Sequence, residues 1–267
     1  MTLDMQFVTY EVRAGAAIIT INRPEQRNAL NNRVLAELGA GVLAAKADPD
    51  VRSIVLTGAG DKAFCAGGDL KEMGGKVDPI GEHEGRGGLA RLFDALWSAG
   101  KPTIARVNGY CLAGGFGVAL ACDIVVASDK SQFGAPEIHV GLWPYMISVP
   151  LIRAMPPKQA LKLMLTGERV SAQRGHELGF ITDLVPEAEL DAKVDEYIAT
   201  FRATSPQAMA FGRSTFYNVV DHNTPGRLAY LHTMLGLAIT APDADEGLAA
   251  FAQKRKPRWV LEAEPES

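Results

Sequence analysis

Asn108-Gly-Tyr-Cys-Leu-Ala-Gly-Gly-Phe-Gly-Val-Ala-Leu-Ala-Cys-Asp123 is the most informative part of this chain. Gly114, Gly115 and Gly117 sit where a strand-like run gives way to an apolar helical one. Glycine lets another chain or a ligand come close to the backbone. Unpaired amides at a helix start point outward and favour negative charge. Such a turn suits an oxygen that gains charge during a reaction. A second glycine-rich element, Cys65-Ala-Gly-Gly-Asp-Leu70, lies upstream and is a source of a further amide.

Around these two elements the chain alternates strands and helices. Phe7 to Asn22 reads as two strands about Ala14-Gly15. Asn31-Asn32 is a helix cap ahead of Val34, Leu35, Leu38, Val42 and Leu43 at helical spacing. Ser53 to Thr57, Thr103 to Val107 and Ile124 to Ala127 read as strands, Leu89 to Trp97 and Val118 to Cys122 as helices. Glycine and charge dominate 74–88, the composition of a mobile surface loop. After Pro186 four helical segments follow: Glu187 to Thr204, Pro206 to Val220, Pro225 to Thr240 and Asp243 to Lys254. The expected class is α/β, with a core over 1–195 and a helical region over 196–267.

Bulk properties narrow the function. The 267 residues carry a formal charge of −4, and no basic face is apparent, which argues against nucleic-acid binding. Cys65, Cys111 and Cys122 form neither a CxxC pair nor a disulfide framework. The five histidines, His83, His139, His176, His222 and His232, include no close ligand pair, so no metal site is indicated. No apolar run approaches a membrane span and no secretory signal opens the chain, which makes the cytoplasm the expected setting.

The ordered set of motifs resembles the crotonase superfamily, the enoyl-CoA hydratase and isomerase enzymes. Ile19-Thr-Ile-Asn-Arg-Pro24 with Asn28-Ala-Leu30 is similar to that family's opening strand and loop. Ile54-Val-Leu-Thr-Gly58 with Ala63-Phe-Cys-Ala-Gly-Gly-Asp69 is similar to its first oxyanion loop. Phe133-Gly-Ala-Pro-Glu137, Leu165-Thr-Gly167, Leu178-Gly-Phe-Ile181 and Phe251-Ala-Gln-Lys-Arg-Lys256 follow in family order. The resemblance implies a crotonase-like ββα spiral core, C-terminal helices that assemble a homotrimer or a dimer of trimers, and an acyl-CoA thioester as substrate. Coenzyme A is then part of the substrate, and no separate cofactor is implied.

By the same resemblance the amides of Gly68 and Gly114 are the oxyanion donors and Glu137 is the acid–base carboxylate. Ala66, Asp69, Lys71, Gly117, Trp143 and Tyr145 are the further candidates for contact with substrate. Asp69 is read first as a cap for a helix over Leu70 to Met73. Asp61, Lys62 and the basic cluster Lys254-Arg-Lys256 with Arg258 are candidate neighbours of coenzyme A phosphates, the cluster equally a solvated helix end. The family's other glutamate is missing, for Gly117 stands in its place and is expected to leave room there. Glu137 lies among Phe133, Pro136, Ile138, Val140 and Leu142, surroundings that raise a carboxyl pKa toward a useful value.

These readings favour hydration of a 2-enoyl-CoA. Conversion of a 3-enoyl-CoA to a 2-enoyl-CoA needs only one base and is the runner-up. A non-catalytic acyl-CoA binding protein is a third reading. Gly58-Ala-Gly-Asp-Lys-Ala63 matches the dinucleotide pattern GxGxxA, which keeps an NAD-dependent oxidoreductase as a remote fourth.

Overall fold

The computed structural model describes residues 5–69, 87–220 and 224–261. Lys71, His83, His222, the helix expected over Leu70 to Met73 and nearly all of the glycine-and-charge stretch lie outside the described residues.

The chain opens on a hairpin, β1 (Val8–Arg13) antiparallel to β2 (Ala16–Ile21). Ala14 and Gly15 turn it with φ of 51° and 76°. Two left-handed residues in succession match the strand twist. Next comes α1 (Asn32–Ala47), begun where the Asn31 side chain accepts the Val34 amide.

From here the chain repeats one move. A strand is laid in a large sheet, then a short strand in a small one. The pairs are β3 (Ser53–Gly58) with β4 (Ala63–Cys65), β5 (Thr103–Val107) with β6 (Tyr110–Leu112), and β7 (Ile124–Ser128) with β8 (Gln132–Gly134). Between successive pairs run α2 (Gly88–Trp97) and α3 (Gly114–Ala121). Past β8 come α4 (Ser148–Ala154), α5 (Pro157–Thr166), β9 (Arg169–Ser171), α6 (Ala172–Leu178) and β10 (Asp183–Val185). The large sheet has the order β1-β2-β3-β5-β7-β10, parallel from β2 onward. The small sheet has the order β4-β6-β8-β9, with β4, β6 and β8 parallel. This spiral is the crotonase-like α/β core that the sequence implied.

Both faces of the large sheet are covered. On one face Ile19, Ile54 and Leu56 meet α1 and α3 in the main core. On the other, Ala16, Val55, Ile104 and Val126 meet Leu190, Val194 and Ile198 of α7 (Leu190–Arg202). A strand buried on both faces reads as an unbroken apolar run, which is why Ser53-Ile-Val-Leu56 shows no alternation. Phe116, Phe133 and Phe180 pack edge to face or tilted, with centroids 5.1 to 5.6 Å apart, and lock α3 onto the small sheet.

The expected boundary at residue 195 falls inside α7, and α7 packs on the sheet. The outer helical layer starts instead with α8 (Pro206–Val219), followed by α9 (Thr224–Ile239), α10 (Pro242–Ala252) and the short α11 (Arg258–Leu261). Leu235, Leu237, Ile239, Leu248 and Phe251 are exposed in this layer. Among the described residues no helix is long and apolar enough to cross a membrane. One expected helix start needs correction. The helix read from Val118 starts at Gly114, so Gly114, Gly115 and Gly117 all lie in its first turn.

The buried carboxylate of Glu37 ties β1 to α1. It accepts the amides of Gln6, Phe7 and Val8 at 2.8 to 3.0 Å and an ion pair from Arg33. Burial pushes its pKa up, but the amides and Arg33 outweigh that and hold it below the ordinary value. A lowered pKa stabilises the fold above the ordinary carboxylate range, and that contribution is lost as pH falls through the folded value. Glu37→Gln is expected to cost about 1–3 kcal/mol at neutral pH, and urea titration at pH 7 and pH 4 should show the difference shrinking in acid.

Candidate active site

Three neighbouring parallel strands of the small sheet deliver the site. Cys65 of β4 lies beside Cys111 of β6, which lies beside Phe133 of β8. The chain leaves each strand at its C-terminal end. Gly68 therefore follows β4 by three residues, Gly114 follows β6 by two, and Glu137 follows β8 by three. Strand C-termini are where open parallel sheets bind ligands, and all three candidates emerge from this one edge.

The first two loops touch. A Cβ added at Gly67 would lie 2.6 Å from the Ala113 Cβ, and one at Gly115 would lie 2.6 Å from both the Cβ and the carbonyl oxygen of Cys65. Only glycine fits at either place. Gly67 also needs its φ of 102°. Asn28, fully buried, fixes the start of the first loop by donating to the carbonyls of Ala59 and Ala63. Leu30 bridges to the loop itself: its amide donates to the Gly67 carbonyl, and its carbonyl accepts the Asp69 amide. The bridge uses the residues flanking Gly68, so the Gly68 amide lies on the other side of the chain.

Gly114 is the first residue of α3, and its amide is one of those that a helix start leaves without an intrahelical partner. Ala113 before it has φ 50° and ψ −127°. That is a region side chains avoid, at a cost of about 1–3 kcal/mol. The Ala113 amide donates to the Gly134 carbonyl at 2.9 Å, which holds the strained residue against β8. Side chains close over this turn, for a Cβ at Gly114 would stand 3.2 Å from Leu30 Cδ1 and 3.6 Å from Leu89 Cδ2.

Glu137 sits in a 3-10 turn, Pro136–Val140, and is half-buried. Burial raises its pKa above the ordinary carboxylate value, with its own amide pulling weakly the other way. Its Oε2 is buried and accepts no hydrogen bond among the described residues. A carboxylate kept in this state is suited to taking and returning a proton.

The other candidates scatter. Asp69 pairs with Arg23 at 3.0 Å, both side chains largely buried, which gives it a role in holding the loop. Ala66 is half-buried, its amide donating to the Arg27 carbonyl. Trp143 is half-buried against the main core, whereas Tyr145 is 71% exposed. His139 lies in the same 3-10 turn as Glu137. In a 3-10 turn, residues two apart point about 120° from each other. Asp61 and Lys62 line a cavity of about 260 Å³ with Arg27, Asn108 and Lys130. In the basic C-terminal cluster Arg255 pairs with Glu246 and Arg258 with Asp243. The Cys65 thiol is fully buried and its pKa is pushed up to about 12, unlike a reactive thiol.

Gly117 corrects an expectation. No space is left beside it. A Cβ there would lie 2.4 Å from Ile147 Cγ2 and 3.0 Å from Phe93 Cζ. Ile147 and Phe93 are both buried, and nothing in their sequence positions marked them as neighbours of the decisive stretch. Gly117→Glu is therefore expected to unfold or misassemble the protein instead of adding a second carboxylate. Gly117→Ala should lower stability by about 1–3 kcal/mol through overpacking, and thermal melts of the two variants check both outcomes.

Comparison with known proteins places relatives along nearly the whole chain. A family model described as enoyl-CoA hydratase/isomerase matches residues 11–261. A probable enoyl-CoA hydratase of Mycobacterium bovis is 33% identical, over 97% of this chain and 99% of the relative. The (E)-benzylidenesuccinyl-CoA hydratase of Thauera aromatica is 32% identical, over 94% of this chain and 98% of the relative. Enoyl-CoA hydratase domain-containing protein 3 of Xenopus laevis, named as mitochondrial, is 34% identical over 92% of this chain and 83% of the relative. The crystal structure of an enoyl-CoA hydratase from Mycobacterium smegmatis superposes with a TM-score of 0.90 at 32% identity, covering 95% of this chain and 99% of that one. Matched along nearly its whole length in both sequence and fold, the chain belongs to the enoyl-CoA hydratase/isomerase family of the crotonase superfamily.

Proposed function

We propose that the protein hydrates a 2-enoyl-CoA thioester, with the amides of Gly68 and Gly114 holding the thioester oxygen and Glu137 as the one acid–base residue. The observation that carries this reading is the delivery of all three from adjacent strand ends of the small sheet. In the first step Glu137 takes a proton from water as the water oxygen bonds to C3. The alkene electrons move toward the carbonyl, and the two amides stabilise the enolate oxygen. In the second step the enolate closes back to the thioester and C2 takes the proton from Glu137. Water is added and the carboxylate is restored. Amide donors of this kind contribute on the order of 3 kcal/mol each to such a transition state.

A second reading has its own support. With Ile147 and Phe93 filling the space beside Gly117, Glu137 works without a carboxylate there. One base beside an oxyanion site suffices to move a proton from C2 of a 3-enoyl-CoA to C4. The third reading, binding without turnover, is separated by the same assay. Three free, buried thiols suit a reducing compartment, and we read that compartment as the cytoplasm.

Wild-type protein is expected to turn over members of a panel of straight-chain and aryl 2-enoyl-CoA and 3-enoyl-CoA thioesters. Product identity decides between hydration and isomerisation, and binding with no turnover of any member defeats both. Glu137→Gln should lower kcat by at least about a hundredfold. Because the folded pKa of Glu137 is raised, its ionised form costs stability at neutral pH. The same variant should therefore melt no lower than wild type. Activity should rise with pH through a midpoint shifted upward from that of an ordinary glutamate, since the base must be ionised.

Assembly into a homotrimer or a dimer of trimers is part of the same proposal. Its support is the apolar surface that α8 to α10 leave exposed, with Phe216 59%, Leu235 64% and Phe251 87% accessible. Light scattering should give three or six copies, and a monomer at micromolar concentration defeats it.

A further inference from the structure

Arg213 stands far from the glycine amides in the chain and on the outer layer, yet it grips both helices that frame them. Its side chain is only 6% exposed. Nη1 donates to the Trp97 carbonyl at 2.8 Å and Nη2 to the Leu96 carbonyl at 2.6 Å. Those carbonyls lie at the C-terminal end of α2, where a helix favours positive charge, and that of Leu96 also accepts the Ala99 amide at 3.3 Å. Nε donates to Asp123 Oδ2 at 2.7 Å. Asp123 follows Cys122, the residue that caps the C-terminal end of α3. The carboxylate is itself held by the Thr103 amide at 2.7 Å and the Tyr217 hydroxyl at 2.6 Å. One planar guanidinium therefore joins the C-terminal ends of α2 and α3.

The N-terminal ends of the same two helices meet at the candidate site. Gly114 opens α3, Leu89 of α2 lies over it, and Phe93 of α2 packs on Gly117. A ten-residue helix is about 15 Å long. The clamp at one end of the pair therefore fixes how far α2 is advanced and rotated against α3 at the other. We propose that Arg213 is a positioning residue for the thioester reaction. It sets the placement of Leu89 against Gly114 and of Phe93 against Gly117, and thereby links the outer helical layer to the site. The proposal rests on the function proposed above. A displacement of about 1 Å at a reacting centre costs on the order of a hundredfold in rate, so a small slip of α2 is enough.

The test compares Arg213→Lys and Tyr217→Phe with wild type, and uses Arg13→Lys, at an exposed ion pair with Asp195, as control. Lysine keeps the charge but not the three-way fork. Each protein is assayed well below its melting temperature on the best thioester of the panel. For Arg213→Lys the expected result is a tenfold or larger fall in kcat with KM within about twofold. Tyr217→Phe should show a smaller fall and the control none. Hydrogen exchange supplies a readout that needs no turnover. In Arg213→Lys, the amides of 91–97 should exchange at least tenfold faster, and those of β3 and β5 should be unchanged. Wild-type kcat in a folded Arg213→Lys protein, even with a lower melting temperature, overturns the proposal and leaves Arg213 a structural residue only. If wild type turns over no thioester, the proposed function has failed, and exchange alone decides the clamp: unchanged protection over 91–97 overturns it. If Arg213→Lys does not fold, Tyr217→Phe decides in its place, and wild-type kcat and exchange in that variant overturn the clamp.

Discussion

The close approach of two loops at the edge of a sheet of three-residue strands is the constraint on which the rest depends. Gly67 lies against Ala113 and Gly115 lies against Cys65. Each contact is too short for any side chain. Together they bring the loop after β4 and the start of α3 into one small volume. The parallel register of Cys65, Cys111 and Phe133 then brings the Pro136-Glu137 turn to the same edge. Sheet register is set by backbone bonding and by which faces are buried. A slip of one residue would send Phe133 out of the aromatic cluster it shares with Phe116 and Phe180.

The site holds its groups in states that the fold does not favour locally. Ala113 is in a strained conformation. The Glu137 carboxyl is half-buried, with one oxygen that has no hydrogen-bond partner among the described residues. The glycine amides belong to turns whose flanking groups are already bonded, Gly67 and Asp69 to Leu30, and Ala113 to Gly134. What offsets these costs is the surrounding core, with β3 buried along its whole length and α3 buried on nearly all sides. Strain and desolvation persist at a site only where the neighbouring structure over-determines them.

The surface differs from the core. From Ile138 to Ile152 a run of apolar side chains is exposed, Val140, Leu142, Met146 and Val149 among them, directly after Glu137. The outer helices expose another set. These patches are what the assembly proposed above would cover.

The sequence by itself determined the elements and the identity of the loops. The alternation around Ala14-Gly15, the Asn31 cap and the apolar run from Ser53 are local signals, and local signals survive without tertiary information. The glycine-rich stretches were legible because glycine in a tight approach has no substitute, and Glu137 stood out as a candidate because its Pro-Glu setting belongs to an ordered set of motifs. Where the helix begins was not legible, since glycine has a low helical preference and the contacts that bury Gly115 and Gly117 come from Cys65, Phe93 and Ile147, distant in sequence. The tertiary structure alone decided that Gly117 has no free space, because the atoms that fill it come from Phe93 and Ile147, distant in sequence. It alone decided that Asp69 pairs with Arg23 and that Arg213 spans two helix ends. Contacts between residues far apart in the chain leave no periodic trace in the sequence, because they depend on the path of the backbone between them.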